Sequence, residues 1–158
     1  MATPQKGPEA TLEIRRTFKA PRAKVFAAWT EREKVEQWMC RDVPTHNPKY
    51  LELDVRPGGR YTIEIKLPDG VVYLGQGVFR EVKPPEKLVF TWEWKRTPED
   101  KKENPQTGES LVTVEFFERG TSTEMVFKHE KLSGRESYES HKKGWEGCFD
   151  KLAEHLGV

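Results

Sequence analysis

Four histidines, His46, His129, His141 and His155, are the side chains best suited to exchange protons near neutral pH. Their spacing limits what they could do together. His141 and His155 stand about four helical turns apart, too far to share an ion, and no set shows the spacing of metal ligands. No metal or cofactor is therefore expected. The serines lack the sharp-turn motif of a nucleophile elbow. Pro57-Gly58-Gly59 is not a phosphate loop, because a strand pattern rather than a helix follows it. Cys40 and Cys148 are the only cysteines and lie far apart, so neither a disulfide framework nor a zinc site is read. Two reduced thiols in a cytoplasmic protein is the expectation. With no nucleophile–base pair in view, the polar residues point to binding more than to catalysis.

Those polar residues are Arg16, Thr123, His129 and His141, each on the apolar side of its element. A guanidinium drawn inward needs a partner, either an acidic side chain or a ligand carboxylate held in two-pronged fashion. His129 could donate to a ligand or act as acid or base; the plainer reading is a strand-end histidine, half exposed and satisfied by water. Gln76 depends on its strand, and faces solvent if Gly75 and Gly77 face inward. Around them stand aromatic residues, Tyr61, Tyr73, Phe90, Trp92, Trp94, Phe127, Trp145 and Phe149, with Cys148 beside the last two. They could line an apolar pocket, which wants mostly apolar walls with a few placed polar groups. They could equally fill a core at ordinary packing density.

The elements that would carry these residues follow from periodicity. Residues 1–9 read as a flexible end, and residues 10–158 as one domain. TLEIRRTF alternates, with Leu12, Ile14, Arg16 and Phe18 on one side. APRAKVFAAWT is helical, Pro21 suiting its first turn and Val25, Phe26 and Trp29 forming a stripe. A capping-box spacing, Thr30 to Glu33, predicts a second short helix with Val35, Trp38 and Met39. YLELDV puts Leu51, Leu53 and Val55 on one face. RYTIEIKL follows the Pro-Gly-Gly turn, with Tyr61, Ile63, Ile65 and Leu67 on one side. VVYLGQGVFREV carries Gly75 and Gly77 two apart, the mark of a strand that bends or nears another backbone. KLVFTWEWK sets Leu88, Phe90, Trp92 and Trp94 on one side. Residues 96–109 read as a long solvated hairpin loop. LVTVEFFE and TSTEMVFKHE make a last hairpin across Arg119-Gly120, with Thr123, Met125, Phe127 and His129 sharing a face.

Ser133 to Glu136 is a second capping-box spacing and predicts a long final helix. Its apolar sector holds Trp145, Cys148, Phe149, Leu152 and Leu156, with His141 inside it and Gly144 and Gly147 along one edge. Each glycine costs a helix about 1 kcal/mol relative to alanine, which suggests that a curved sheet comes close there. Six consecutive strands with short turns imply an antiparallel meander. Only the last helix is long enough to cover its apolar face.

Composition removes several classes of function. The 158 residues suffice for one substantial core. With net charge +1 and acidic and basic residues interspersed, the chain shows no basic stripe for a phosphate backbone, so nucleic-acid binding is not expected. No apolar run approaches membrane-spanning length, and the N-terminus has no apolar signal region. Exposed sheet edges, or an apolar face near Trp38, could support a homodimer as well as a monomer.

IRRTFKAPRAKVFAAWTEREKVEQW at 14–38, DVRPGGRY at 54–61, DGVVYLGQGVFREVKPPEKLVFTW at 69–92, GTSTEMVFKHE at 120–130 and GWEGCFDKLAEHL at 144–156 occur in order. Together they cover about residues 10–157, and the set resembles the START-like (SRPBCC) superfamily. Within it, the chain is similar to the activator of heat-shock-protein-ninety ATPase homologue-like family. The resemblance implies an α+β helix-grip fold, a seven-stranded antiparallel sheet wrapped around a long C-terminal helix with two short helices after the first strand. It also implies a cavity between sheet and helix of the kind that binds lipids, sterols, polyketides or aromatic compounds. Binding of a small hydrophobic or aromatic, lipid-like ligand is the leading expectation. The family's co-chaperones carry this domain behind a separate N-terminal domain, for which this length leaves no room. A chaperone-interacting, stress-related role is thus the first alternative, and a cavity enzyme of hydrolase or cyclase type the second.

Overall fold

In the computed structural model, residues 9–40, 47–70, 72–96 and 108–157 are described. The elements run β1 (Ala10–Phe18), α1 (Arg22–Thr30), α2 (Arg32–Val35), β2 (Asn47–Leu53), β3 (Arg60–Lys66), β4 (Val72–Lys83), β5 (Lys87–Arg96), β6 (Ser110–Arg119), β7 (Ser122–Leu132) and α3 (Arg135–Leu156). All seven strands form one antiparallel sheet in the order β1-β7-β6-β5-β4-β3-β2. The meander from β2 to β7 is the one expected from its short turns. The first strand closes the far edge beside β7, so the two short helices carry the chain from one edge of the sheet to the other. Helix α3 covers the apolar face, the helix-grip arrangement. Of the long loop expected over residues 96–109, residues 97–107 lie outside the described residues, as does His46.

Alternation held wherever a strand ran undisturbed. Leu12, Ile14 and Phe18 of β1 are buried, as are Tyr61, Ile63 and Ile65 of β3 and Thr123, Met125, Phe127 and His129 of β7. In β2 it did not hold. Leu51 was expected inside with Leu53, yet it is 50% exposed while Tyr50 is buried. The register explains this: Tyr50 pairs with Ile63 and Glu52 with Thr62, leaving Leu51 as the extra residue of a bulge. One inserted residue exchanges the faces of everything before it.

Helices α2 and α3 both start one residue later than the capping-box spacings place them. Helix α2 starts after Glu31, and Thr30 instead returns its hydroxyl to the Phe26 carbonyl at 3.1 Å. Helix α3 is capped by Gly134, at φ 98°, where an L side chain would be strained. Trp38 offers no surface for a partner: it is fully buried, its indole N–H bonded to the Ala28 carbonyl at 2.9 Å.

Of the two readings of the β4 glycines, close approach to another chain segment is the one seen. A Cβ on Gly77 would lie 2.0 Å from the Thr91 carbonyl oxygen, and one on Gly75 3.0 Å from Ile63 Cγ2. Gly77 thus admits the backbone of β5, and Tyr61 passes its hydroxyl hydrogen bond to the same Thr91 carbonyl. Trp29 of α1 sits at the centre of the interior, its ring 4.7 Å from Trp38, 6.4 Å from Phe127 and 6.0 Å from Phe149. This part of the interior is closely packed, a cluster of rings in edge, tilted and stacked contacts that add to simple burial.

Candidate functional site

Away from that cluster the space between sheet and helix is not filled. A cavity of about 240 Å³ is bounded by Ile65 of β3, Trp92 and Trp94 of β5, Met39 and Cys40 after α2, and Ser140, His141, Gly144, Trp145 and Cys148 of α3. Trp92, Trp145, Ile65, Met39 and Cys148 are buried and form its floor, whereas Trp94, His141 and Gly144 are half-buried and Ser140 exposed. The mouth therefore opens between the end of β5 and the first half of α3. Trp145 is the partition: one side of its ring meets Phe127 at 4.7 Å and Phe149 at 5.6 Å, and Trp92 lies 5.6 Å away. Gly144 lines the empty space.

Of the residues singled out from sequence, Trp92, Trp94, His141, Trp145 and Cys148 meet at this cavity. Tyr61 and Phe90, together with Trp29 and Trp92, border a second void of about 10 Å³, room for a water at most. Tyr73 is half-buried against the core. Phe127 and Phe149 are core residues packed on Trp29. Thr123 is taken up structurally, its hydroxyl donating to the Ala20 carbonyl at 2.7 Å and pinning β7 to the approach of α1. Arg16 does not enter the interior: it is 28% exposed and pairs with Asp150 on α3, so its acidic partner is already in place. Gln76 faces the outer side of the sheet, 3.3 Å from Glu93. Met39, Cys40, Ile65, Ser140 and Gly144 complete the cavity; Met39, Ile65 and Gly144 lie on faces or edges that the sequence pattern marks, whereas Cys40 and Ser140 do not.

His129 is neither half exposed nor bonded to water. It is 0% exposed, and both ring nitrogens are engaged. Trp145 Nε1–H can only donate, so Nδ1 of His129, 3.1 Å away, accepts. The ring proton then sits on Nε2 and goes to Ser110 Oγ at 2.6 Å, whose own hydrogen goes to the Trp92 carbonyl at 3.0 Å. Burial, with His141 next to it, holds the His129 pKa well below its ordinary value, so the ring is neutral. No carboxylate takes part in this chain of bonds, and the acid–base pair that an enzymatic reading of His129 requires is not formed there.

His141 is arranged differently. Its Nδ1 lies 2.8 Å from the Ser137 carbonyl, which can only accept, so Nδ1 carries the proton. Nε2 is left as a bare acceptor, buried and without a partner among the described residues. Burial also lowers the pKa of this ring, against the opposing pull of the Ser137 carbonyl. Trp92 Nε1–H is a complementary case, a buried donor without a partner among the described residues, as is Trp29 Nε1–H. Cys148 Sγ receives the Cys40 N–H at 3.2 Å, and Cys40 adopts φ 58° to present it. That contact closes one corner of the cavity.

The family model described as "Activator of Hsp90 ATPase homolog 1-like protein" matches residues 19–157. The chain belongs to this family. None of the curated proteins matches it. Among solved structures, this member of the activator-homolog family is similar to a protein of Chromobacterium violaceum, with TM-score 0.80 at 21% identity over 94% of this chain and 97% of that one. It is also similar to a Silicibacter pomeroyi protein bearing the family's name, with TM-score 0.78 at 25% identity over 94% and 98%. A Rhizobium leguminosarum protein shares 27% identity, with TM-score 0.77 over 95% of both chains. The seven-stranded sheet closed on a C-terminal helix is common to the group. No helix among the described residues is long and apolar enough to cross a membrane.

Proposed function

We propose that this protein binds a small, largely apolar ring compound in the cavity between β5 and α3. One observation carries the reading: the core is closely packed around Trp29, yet about 240 Å³ stays open beside Trp92, Trp94 and Trp145. Protein interiors otherwise pack like organic crystals, so a void of this size at the end of a close-packed aromatic cluster calls for an occupant. The volume exceeds the roughly 150 Å³ known to hold benzene and falls short of the roughly 300 Å³ where drug-sized pockets begin. It suits one or two rings and excludes a sterol.

Native mass spectrometry and thermal denaturation against a panel of aromatic compounds, fatty acids and sterols test the proposal. Ring compounds of one or two rings should raise Tm and appear as one-to-one adducts. A panel in which nothing stabilises the protein, or in which only sterols do, removes the reading.

The family match supports a second reading, contact with a chaperone ATPase. A pull-down with an Hsp90-type chaperone and its ATPase rate with and without this protein decide it. An unchanged rate and no co-purification end that reading.

A further inference from the structure

The cavity wall specifies its occupant more narrowly, given that the cavity is the binding site. Trp92 Nε1–H is a donor and His141 Nε2 an acceptor; both are buried and neither has a partner among the described residues. A buried polar atom left unpaired is a desolvation cost that a matching ligand atom would relieve. The two nitrogens belong to residues that border the same cavity. Everything else on its wall among the described residues is apolar or small, with no Lys, Arg, Asp or Glu among them. Arg16, the cation that might have received a carboxylate, is engaged by Asp150. The free lone pair of His141 faces any incoming anion with negative charge, because its one proton is committed to Ser137.

We infer that the site selects a neutral one- or two-ring aromatic alcohol over both the bare hydrocarbon and the carboxylate. The ring lies among the indoles of Trp92, Trp94 and Trp145. The hydroxyl hydrogen goes to His141 Nε2, and the oxygen accepts from Trp92 Nε1–H. A carboxylate has no hydrogen for His141 and finds no cation.

Naphthol, methoxynaphthalene, methylnaphthalene and naphthoate, all substituted at the same ring carbon, separate these possibilities. Binding is followed through the indole N–H resonances of the full chain, with that of Trp92 assigned from Trp92→Phe. Naphthol should bind more tightly than methylnaphthalene by about tenfold or more, the combined worth of its two hydrogen bonds. Methoxynaphthalene, which accepts but cannot donate, should fall between them. The Trp92 indole resonance should move downfield with naphthol and not with methylnaphthalene. In His141→Phe the preference for naphthol should shrink to that of methoxynaphthalene while methylnaphthalene binding persists, which also shows that the pocket still forms. Methylnaphthalene equal to naphthol in the native chain, or naphthoate tightest, overturns the inference but leaves the cavity as a binding site. No binding of any of the four overturns both.

Discussion

Trp145 of α3 donates its indole N–H to Nδ1 of His129 on β7 across 3.1 Å, and this single bond decides which nitrogen of a buried histidine holds the proton. The consequence runs through Ser110 to the Trp92 carbonyl, so helix, β7, β6 and β5 share one chain of hydrogen bonds behind the cavity wall. In a dry interior such a chain supports the fold only while each member has its partner.

Replacing His129 with alanine should therefore cost about 2–4 kcal/mol in urea denaturation, through the orphaned Trp145 N–H and the lost ring volume. Trp145→Phe strands Nδ1 and leaves part of the indole's space empty, so about 1–3 kcal/mol is expected. A loss below a few tenths for either would mean that the bonds are not formed in solution.

Stability should fall on mild acidification. Burial holds both His129 and His141 below their ordinary values, and the proximity of His141 lowers His129 further. The unfolded chain takes up protons below about pH 6.5 that the folded chain refuses. The unfolded state then binds more protons, so stability is complete above that pH and drops as pH falls towards the folded values. Each histidine contributes a slope of at most about 1.4 kcal/mol per pH unit. Tm measured from pH 8 to 5 should be flat and then decline, less steeply in His129→Gln. A Tm that rises through this window would contradict the neutral, buried rings.

The β4 glycines should differ in their tolerance of alanine. In Gly77→Ala the new methyl would lie 2.0 Å from a backbone oxygen, and strand β5 must move; a loss of roughly 3 kcal/mol or more is expected. In Gly75→Ala it would lie 3.0 Å from a side-chain methyl that can yield, and about 1–2 kcal/mol is expected. Chemical denaturation of the two variants checks the order.

Gly144→Ala should act in the opposite sense on stability and binding. The position is helical and borders open volume, so alanine should add about 0.5–1 kcal/mol of stability. The same methyl takes space from the cavity and should weaken ring-compound binding several-fold. Destabilisation would instead mean that the helix needs close contact at this glycine.

Removing the Arg16–Asp150 pair should matter little. Asp150 is 67% exposed, and pairs in such surroundings contribute about 0–1 kcal/mol, less in salt. Arg16→Ala should leave naphthalene-series binding unchanged, since the guanidinium does not reach the cavity. Loss of binding in this variant would place Arg16 in the site after all.

Periodicity in the sequence was enough to determine the order of strands and helices, the inward faces of β1, β3 and β7, and the apolar sector of α3, because these depend on local repeats of two and 3.6 residues. It also singled out Trp92, Trp94, His141, Trp145 and Cys148. It could not separate them from Phe127 and Phe149, which share the same faces but fill the core. Whether two facing apolar surfaces touch or stand apart depends on sheet curvature and helix position, and these are set by contacts between residues distant in the chain. The bulge at Leu51, the capture of Arg16 by Asp150 and the partners of His129 have the same origin: each is a relation across elements that no single element's pattern contains. Tertiary structure alone decided that the interior is closely packed on one side of Trp145 and open on the other.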